Sequence, residues 1–156
     1  MLPQPRRIVF RLDRALVAAL VLLSAACGPR ETPEAQVRSV IAQGEQAAEA
    51  RNLSGLMDLV SPSYRDEQGS GPEELATYLR GYLVTHQSIH LLTRVETIEF
   101  PYRDMAKVSL TLGTLGRETA AATAFDVAAD VYFVDLELQL EDGDWRVIRA
   151  RWKPAT

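Results

Sequence analysis

The chain has 156 residues, 47% hydrophobic and 24% charged, which is the balance of one soluble domain of ordinary size. Its net charge of −4 hides an asymmetry: residues 1–26 carry Arg6, Arg7, Arg11 and Arg14 against Asp13, leaving 13 basic and 20 acidic groups, a balance of −7, in the other 130. That acidity argues against a nucleic-acid partner, because phosphate binding needs a concentrated basic surface. The single cysteine, Cys27, excludes an intramolecular disulfide and any multi-cysteine metal site. The only two histidines, His86 and His90, stand four residues apart without a Glu-rich helix around them, so neither a metal nor a cofactor is expected.

Met1 to Arg14 is basic, and Ala15 to Ala26 is an apolar run of Ala, Leu, Val and one Ser. Twelve residues are too few to span a bilayer, which takes about 20. They suit the apolar region of a signal peptide, about 7 to 15 residues long. Ser24, Ala25 and Ala26 come directly before Cys27. The order resembles the lipobox of bacterial lipoproteins, although that family favours Leu or Val where Ser24 stands. The resemblance implies cleavage before Cys27 and acylation of its sulfur and amine, with palmitate-type chains. Two or more such chains anchor a protein stably where one does not. An ordinary secretory signal with an incidental cysteine and an uncleaved anchor are the alternatives. On this reading residues 1–26 are a lipoprotein signal peptide, 27–32 a lipidated tether and 33–156 the folded domain. Gly28 lacks the Asp that, by the same resemblance, retains lipoproteins at the inner membrane. In a Gram-negative source the expected site is the periplasmic face of the outer membrane.

Thr32-Pro33-Glu34 reads as a helix start. Val37, Val40, Ile41, Gly44, Ala47, Ala48 and Arg51 follow at helical spacing, a stripe of small residues against which something packs closely. Asn52 is expected to end this helix. Leu56, Leu59 and Val60 suggest a short second one, stopped by Pro62. Ser63 to Gly71 reads as a loop with a short strand at Tyr64. Pro72 opens a third helix with Leu75, Tyr78, Leu79, Tyr82 and Leu83 on one stripe.

The period then changes to two. Strands are expected over Ile89–Phe100, Met105–Leu115, Tyr132–Leu140 and Trp145–Trp152, with a loop over 116–124. Asp142-Gly143 signals a two-residue hairpin turn. Helices followed by an antiparallel meander predict an α+β fold, the N-terminal helices packed on a curved sheet. Trp145 is expected in the core against the first helix, with Leu138 and Val147.

Residues 33–153 resemble the nuclear transport factor 2-like (NTF2-like, SnoaL-like) superfamily. The resemblance rests on the element order, on "AAEARNLSGLMDLVSPSYRD" and on the closing "LELQLEDGDWRVIRARW". It implies a cone with a pocket at its open end. It does not choose among isomerase, dehydratase, binding or assembly roles.

An isomerase-type site would draw on Asp58 or Asp66 as base, with Tyr64, Tyr78 or Tyr82 as donor. A dehydratase-type site would use His86. None matches a family motif, so no catalytic residue is assigned. The hairpin gives a sharper expectation. With a two-residue turn and regular pairing, Leu136 faces Arg149 and Val134 faces Arg151, which puts both guanidinium groups on the core face. Arg149 and Arg151, with Tyr82 and His86, would then line the cone's mouth and hold a small anionic or polar-headed ligand. The opposite reading leaves both arginines at the rim, paired with acids. The other face would carry Phe133, Ile148, Ala150 and Trp152, suited to a homodimer through the sheet. The expected role is a lipid-anchored binding module. A small isomerase or dehydratase and an assembly subunit of an envelope complex are the alternatives.

Overall fold

The computed structural model describes residues 31–118 and 128–155. The signal segment, Cys27 and the predicted loop from residue 119 to 124 lie outside them. The chain divides into two units, Met1–Thr32 and Pro33–Thr156, and every described helix and strand belongs to the second. Three helices, α1 (Pro33–Glu49), α2 (Leu53–Asp58) and α3 (Pro72–Thr85), precede four strands, β1 (His86–Tyr102), β2 (Met105–Glu118), β3 (Ala128–Glu141) and β4 (Asp144–Pro154). The strands form one antiparallel sheet in the order β1-β2-β3-β4. The α+β class and the helices-then-meander order match the expectation. β1 starts three residues early, directly off α3, and β2 runs three residues past the predicted end.

Each helix follows its local chemistry. α1 carries an exposed Glu34–Arg38 pair at 2.9 Å one turn apart, which stabilises a helix by about 0.3–0.5 kcal/mol. It ends at Glu49, three residues before Asn52, and Arg51 takes the left-handed position, with φ of 55°. Asn52 N–H donates to Ala47 O and Arg51 N–H to Ala48 O, the paired closure that glycine usually provides. The Arg51 guanidinium offsets the cost of that backbone by donating twice to Leu83 O, at 2.7 and 3.1 Å, which ties α1 to the end of α3. Asn52 instead starts α2, its Oδ1 accepting from Gly55 N–H at 3.0 Å. A Cβ on Gly55 would lie 3.3 Å from Ala47 Cβ, so α2 does pack closely on the small-residue stripe. At α3, the Glu74 carboxylate accepts from Gly71 N–H at 2.9 Å and Pro72 occupies the first turn.

The core joins Val37 of α1 to Ala106, Val108 and Leu110 of β2, Leu138 of β3 and Trp145 of β4. Trp145 is buried as expected. Its Nε1 donates to Gln36 Oε1 at 3.1 Å, so its one polar atom is satisfied by the helix it packs beneath. Asp142 and Gly143 both have positive φ, 52° and 96°, as the expected two-residue turn requires.

The register holds from Leu140↔Trp145 to Leu138↔Val147 and then breaks. Glu137 pairs with Arg149, so Ile148 is an extra residue on β4. A bulge of this kind reverses the facing of everything beyond it. Leu136 therefore pairs with Ala150 and Val134 with Trp152, while Arg149 and Arg151 pair with Glu137 and Asp135. The bulge lies where residues 59–65 run along the free edge of β4. Val147 N–H donates to Leu59 O, Ser61 N–H to Val147 O and Arg65 N–H to Ile148 O. The strand-like contact expected at Tyr64 is thus a bridge at Val60. The buried Ser61 hydroxyl fixes the segment further by donating to Glu141 Oε1 at 2.7 Å.

Truncating Trp145 to Ala removes the ring shared by α1, β3 and β4. Thermal unfolding of Trp145→Ala should show a loss of about 3–5 kcal/mol, as for large aromatic truncations in cores. A near-neutral change would contradict this packing.

Candidate functional site

The concave face of the sheet can be read in cross-strand rows. From the closed end these are Ile98–Val108–Leu136–Ala150, then Val95–Leu110–Val134–Trp152, then Thr93–Leu112–Tyr132–Pro154, and at the rim Leu91–Thr114–Asp130. Buried Val108 and Leu110 give way to half-buried Leu112, Thr93 and Tyr132 toward the open end. The floor is thus apolar, then hydroxyl-bearing, and its first carboxylate is that of Asp130, exposed at the rim.

α3 supplies the other side of the opening. Tyr78 stacks on Trp152 with ring centroids 6.1 Å apart, and the two rings remain 57% and 46% exposed. One turn further along α3, Tyr82 stacks on His86 at 4.0 Å. His86 Nδ1 lies 2.8 Å from the Tyr82 carbonyl oxygen. That oxygen can only accept, so the ring hydrogen belongs on Nδ1 and a neutral His86 offers Nε2 as its acceptor. The result is an aromatic lip of two stacked pairs. Aromatic rings half in water bind flat apolar bodies well, because they lose little entropy on contact.

Of the four residues expected at the mouth, Tyr82 and His86 come together there, and Arg149 and Arg151 do not. The Ile148 bulge turns both arginines to the outer face, where they are exposed, and Arg151 lies 3.8 Å from Glu67. The register on which an anion site rested is therefore absent. The bulge also corrects the expected outer face: Ala150 and Trp152 belong to the concave side, and Trp152 is the mouth residue that regular pairing misplaced.

The other titratable candidates are dispersed. Asp58 is exposed. Asp66 closes its own loop, Oδ1 accepting from Gln68 N–H at 2.9 Å and Ser70 N–H at 2.7 Å. Desolvation pushes its carboxyl upward, but hydrogen bonds from Ser70, Gln68 and Gly69 outweigh this and hold it below the usual range. A shallow depression nearby, lined by Pro62, Arg65, Gly71, Pro72, Glu73 and Glu74, has its cation engaged, since Arg65 Nη1 donates to Tyr64 O at 2.5 Å.

Tyr64 is 1% exposed, and its hydroxyl has no hydrogen-bond partner among the described residues. Burial, and then the Asp66 charge, push its phenol above the ordinary value. A buried donor left unpaired costs about 1–3 kcal/mol. Tyr64→Phe keeps the packing and removes the orphan, so denaturant unfolding should find the variant as stable as the parent or more so. A clear destabilisation would reveal a hydrogen-bond partner for the hydroxyl.

No family model and no curated protein matches the sequence. Solved structures do match in shape. A candidate scytalone dehydratase from Novosphingobium aromaticivorans superposes with a TM-score of 0.70 at 12% identity, covering 90% of this chain and 89% of its own. A ketosteroid isomerase-like protein from Erwinia carotovora gives 0.65 at 13% identity, over 78% of this chain and 95% of its own. A candidate dehydratase of the NTF2-like family from Streptomyces avermitilis gives 0.66 at 13% identity, again over 78% and 95%. Identities this low speak to architecture and not to activity. With helices laid over a curved, unclosed four-stranded sheet and neighbours of this kind, the chain has the NTF2-like fold.

Proposed function

We propose that the chain is a lipid-anchored envelope protein whose NTF2-like domain binds a ligand at the open end of the cone and carries out no chemistry there. The anchoring part rests on the basic, apolar and small-residue order before Cys27. The binding part rests on one observation: an aromatic lip, Tyr78–Trp152 and Tyr82–His86, opens on a floor of apolar and hydroxyl-bearing side chains. Such a site suits a ligand with a flat apolar body and a polar head that meets Thr93 or Tyr132. Acid–base chemistry would need a carboxylate or imidazole within about 3 Å of the reacting atom, supported by a second polar group. Asp66 is held in its own loop, and the partners of His86 among the described residues are the Tyr82 carbonyl and the Thr85 hydroxyl rather than a carboxylate, which favours binding over the isomerase and dehydratase alternatives.

A neutral, environment-sensitive dye such as Nile red tests the site. Its binding should brighten the dye, and Trp152→Ala or Tyr78→Ala should weaken that binding, with thermal unfolding changed far less than by Trp145→Ala. Equal affinity in parent and variants would reject the lip as the site.

The partner reading is a homodimer through the outer face. There Leu92, Leu115, Val131 and Phe133, all exposed, surround Gly113 at the open end. The closed end of the same face carries the row Glu99–Lys107–Glu137–Arg149, in which the signs alternate. A face that is half apolar and half mixed in charge is self-complementary about a two-fold axis through the apolar half. Val131→Glu should shift sedimentation from dimer to monomer. A parent chain that sediments as a monomer would remove this reading.

A further inference from the structure

The β1–β2 hairpin carries an exposed aromatic tip that neither the cone nor the outer face uses. Its sequence is Phe100-Pro101-Tyr102-Arg103-Asp104. Tyr102 is 69% exposed and Phe100 38%, and Pro101 and Arg103 are exposed as well. A bulge between Glu99 and Tyr102 sharpens the twist at this tip.

The position of the hairpin gives these rings their meaning. Phe100 packs edge-on against Trp145 at 5.9 Å, and Trp145 donates to Gln36 in the first turn of α1. The hairpin tip and the start of α1 therefore share the closed end of the domain. At the other end of α1, Glu49 accepts from Leu91 N–H, beside the open mouth. Five residues separate Cys27 from Pro33, so the chain between them reaches at most about 20 Å. If Cys27 carries the lipid, Pro33 is held within that distance of the bilayer, and the closed end, which it shares with the hairpin tip, is the end attached to the anchor.

We infer that the Phe100–Arg103 tip rests in the headgroup region of the anchoring membrane and sets the orientation of the domain, with the ligand site facing the aqueous side. This rests on the anchoring reading above. Tyrosine favours the membrane–water interface because its ring is apolar and its hydroxyl is polar, and an arginine beside it can reach the phosphates along its aliphatic stem. Charge attraction is not the driving term. Leu140 N–H donates to Asp104 O, which places the second hairpin with exposed Asp142 and Asp144 beside the first. The contact therefore depends on ring insertion and should be insensitive to salt.

The experiment uses the processed full chain reconstituted in phosphatidylcholine vesicles with brominated acyl chains. The mass of the N-terminal peptide first establishes whether Cys27 is acylated. A bimane label is then placed at Arg103→Cys, or at Val84→Cys near the open end as the control. The label at 103 should lose most of its emission to the brominated chains in low and high salt, and the label at 84 should lose none. Adding Tyr102→Ser to the first variant should restore part of the emission while leaving thermal unfolding unchanged. An unacylated Cys27 overturns the anchoring reading and this proposal together. With Cys27 acylated, an unquenched label at 103 overturns this proposal alone. Equal quenching at both positions also overturns it, since the domain then has no fixed orientation. A label at 103 that is shielded from water yet unquenched overturns it in favour of a protein surface on the hairpin.

Discussion

Much of this molecule depends on one extra residue in one strand. Ile148 interrupts the β3–β4 ladder, and the interruption is held by backbone hydrogen bonds from Ser61 and Arg65 to the carbonyls of Val147 and Ile148. The 59–65 segment covers the β4 edge, which would otherwise present unpaired groups to solvent. The same bonds keep the bulge in place. Its consequence is chemical as well as geometric, because it decides whether the far half of β4 presents arginines or a tryptophan to the cone. By that single step the mouth gained a tryptophan in place of two arginines.

The second organising contact is Trp145. Its ring joins β4 to α1 and to Phe100, and its indole N–H is satisfied by Gln36. It fixes the direction in which α1 crosses the sheet, from the hairpin end at Gln36 to the mouth at Glu49. Arg51 then holds the far end by donating to Leu83 O, so α1 and α3 are tied where they border the opening. The lip therefore sits on elements pinned from both sides. A binding site needs this more than the core does, because the entropy of positioning is spent before a ligand arrives.

The two faces of the sheet have different chemistries. The concave face passes from core to hydroxyl-bearing floor, and the outer face passes from alternating charges to an apolar patch. Both gradients run along the strands from the closed end to the open one. The proposed ligand site and the proposed dimer contact thus occupy opposite sides of the open half of the sheet without sharing a residue.

By itself the sequence determined whatever depends on short range: the helix starts at Pro33 and Pro72, the change of period by Ile89, the Asp142-Gly143 turn, and Trp145 as a core residue. These follow from capping, periodicity and turn chemistry, which act over a few neighbours. It also carried the basic, apolar and small-residue order before Cys27, on which the proposed anchoring rests. It placed the end of α1 at Asn52 but did not show the left-handed Arg51 in that closure, whose guanidinium donates to the Leu83 carbonyl 32 residues away. It misassigned Arg149, Arg151 and Trp152. Side-chain facing in a strand has a period of two, so one added residue inverts every position beyond it. What adds that residue is a hydrogen-bonding segment more than 80 positions earlier in the chain, and only the tertiary structure brings the two together.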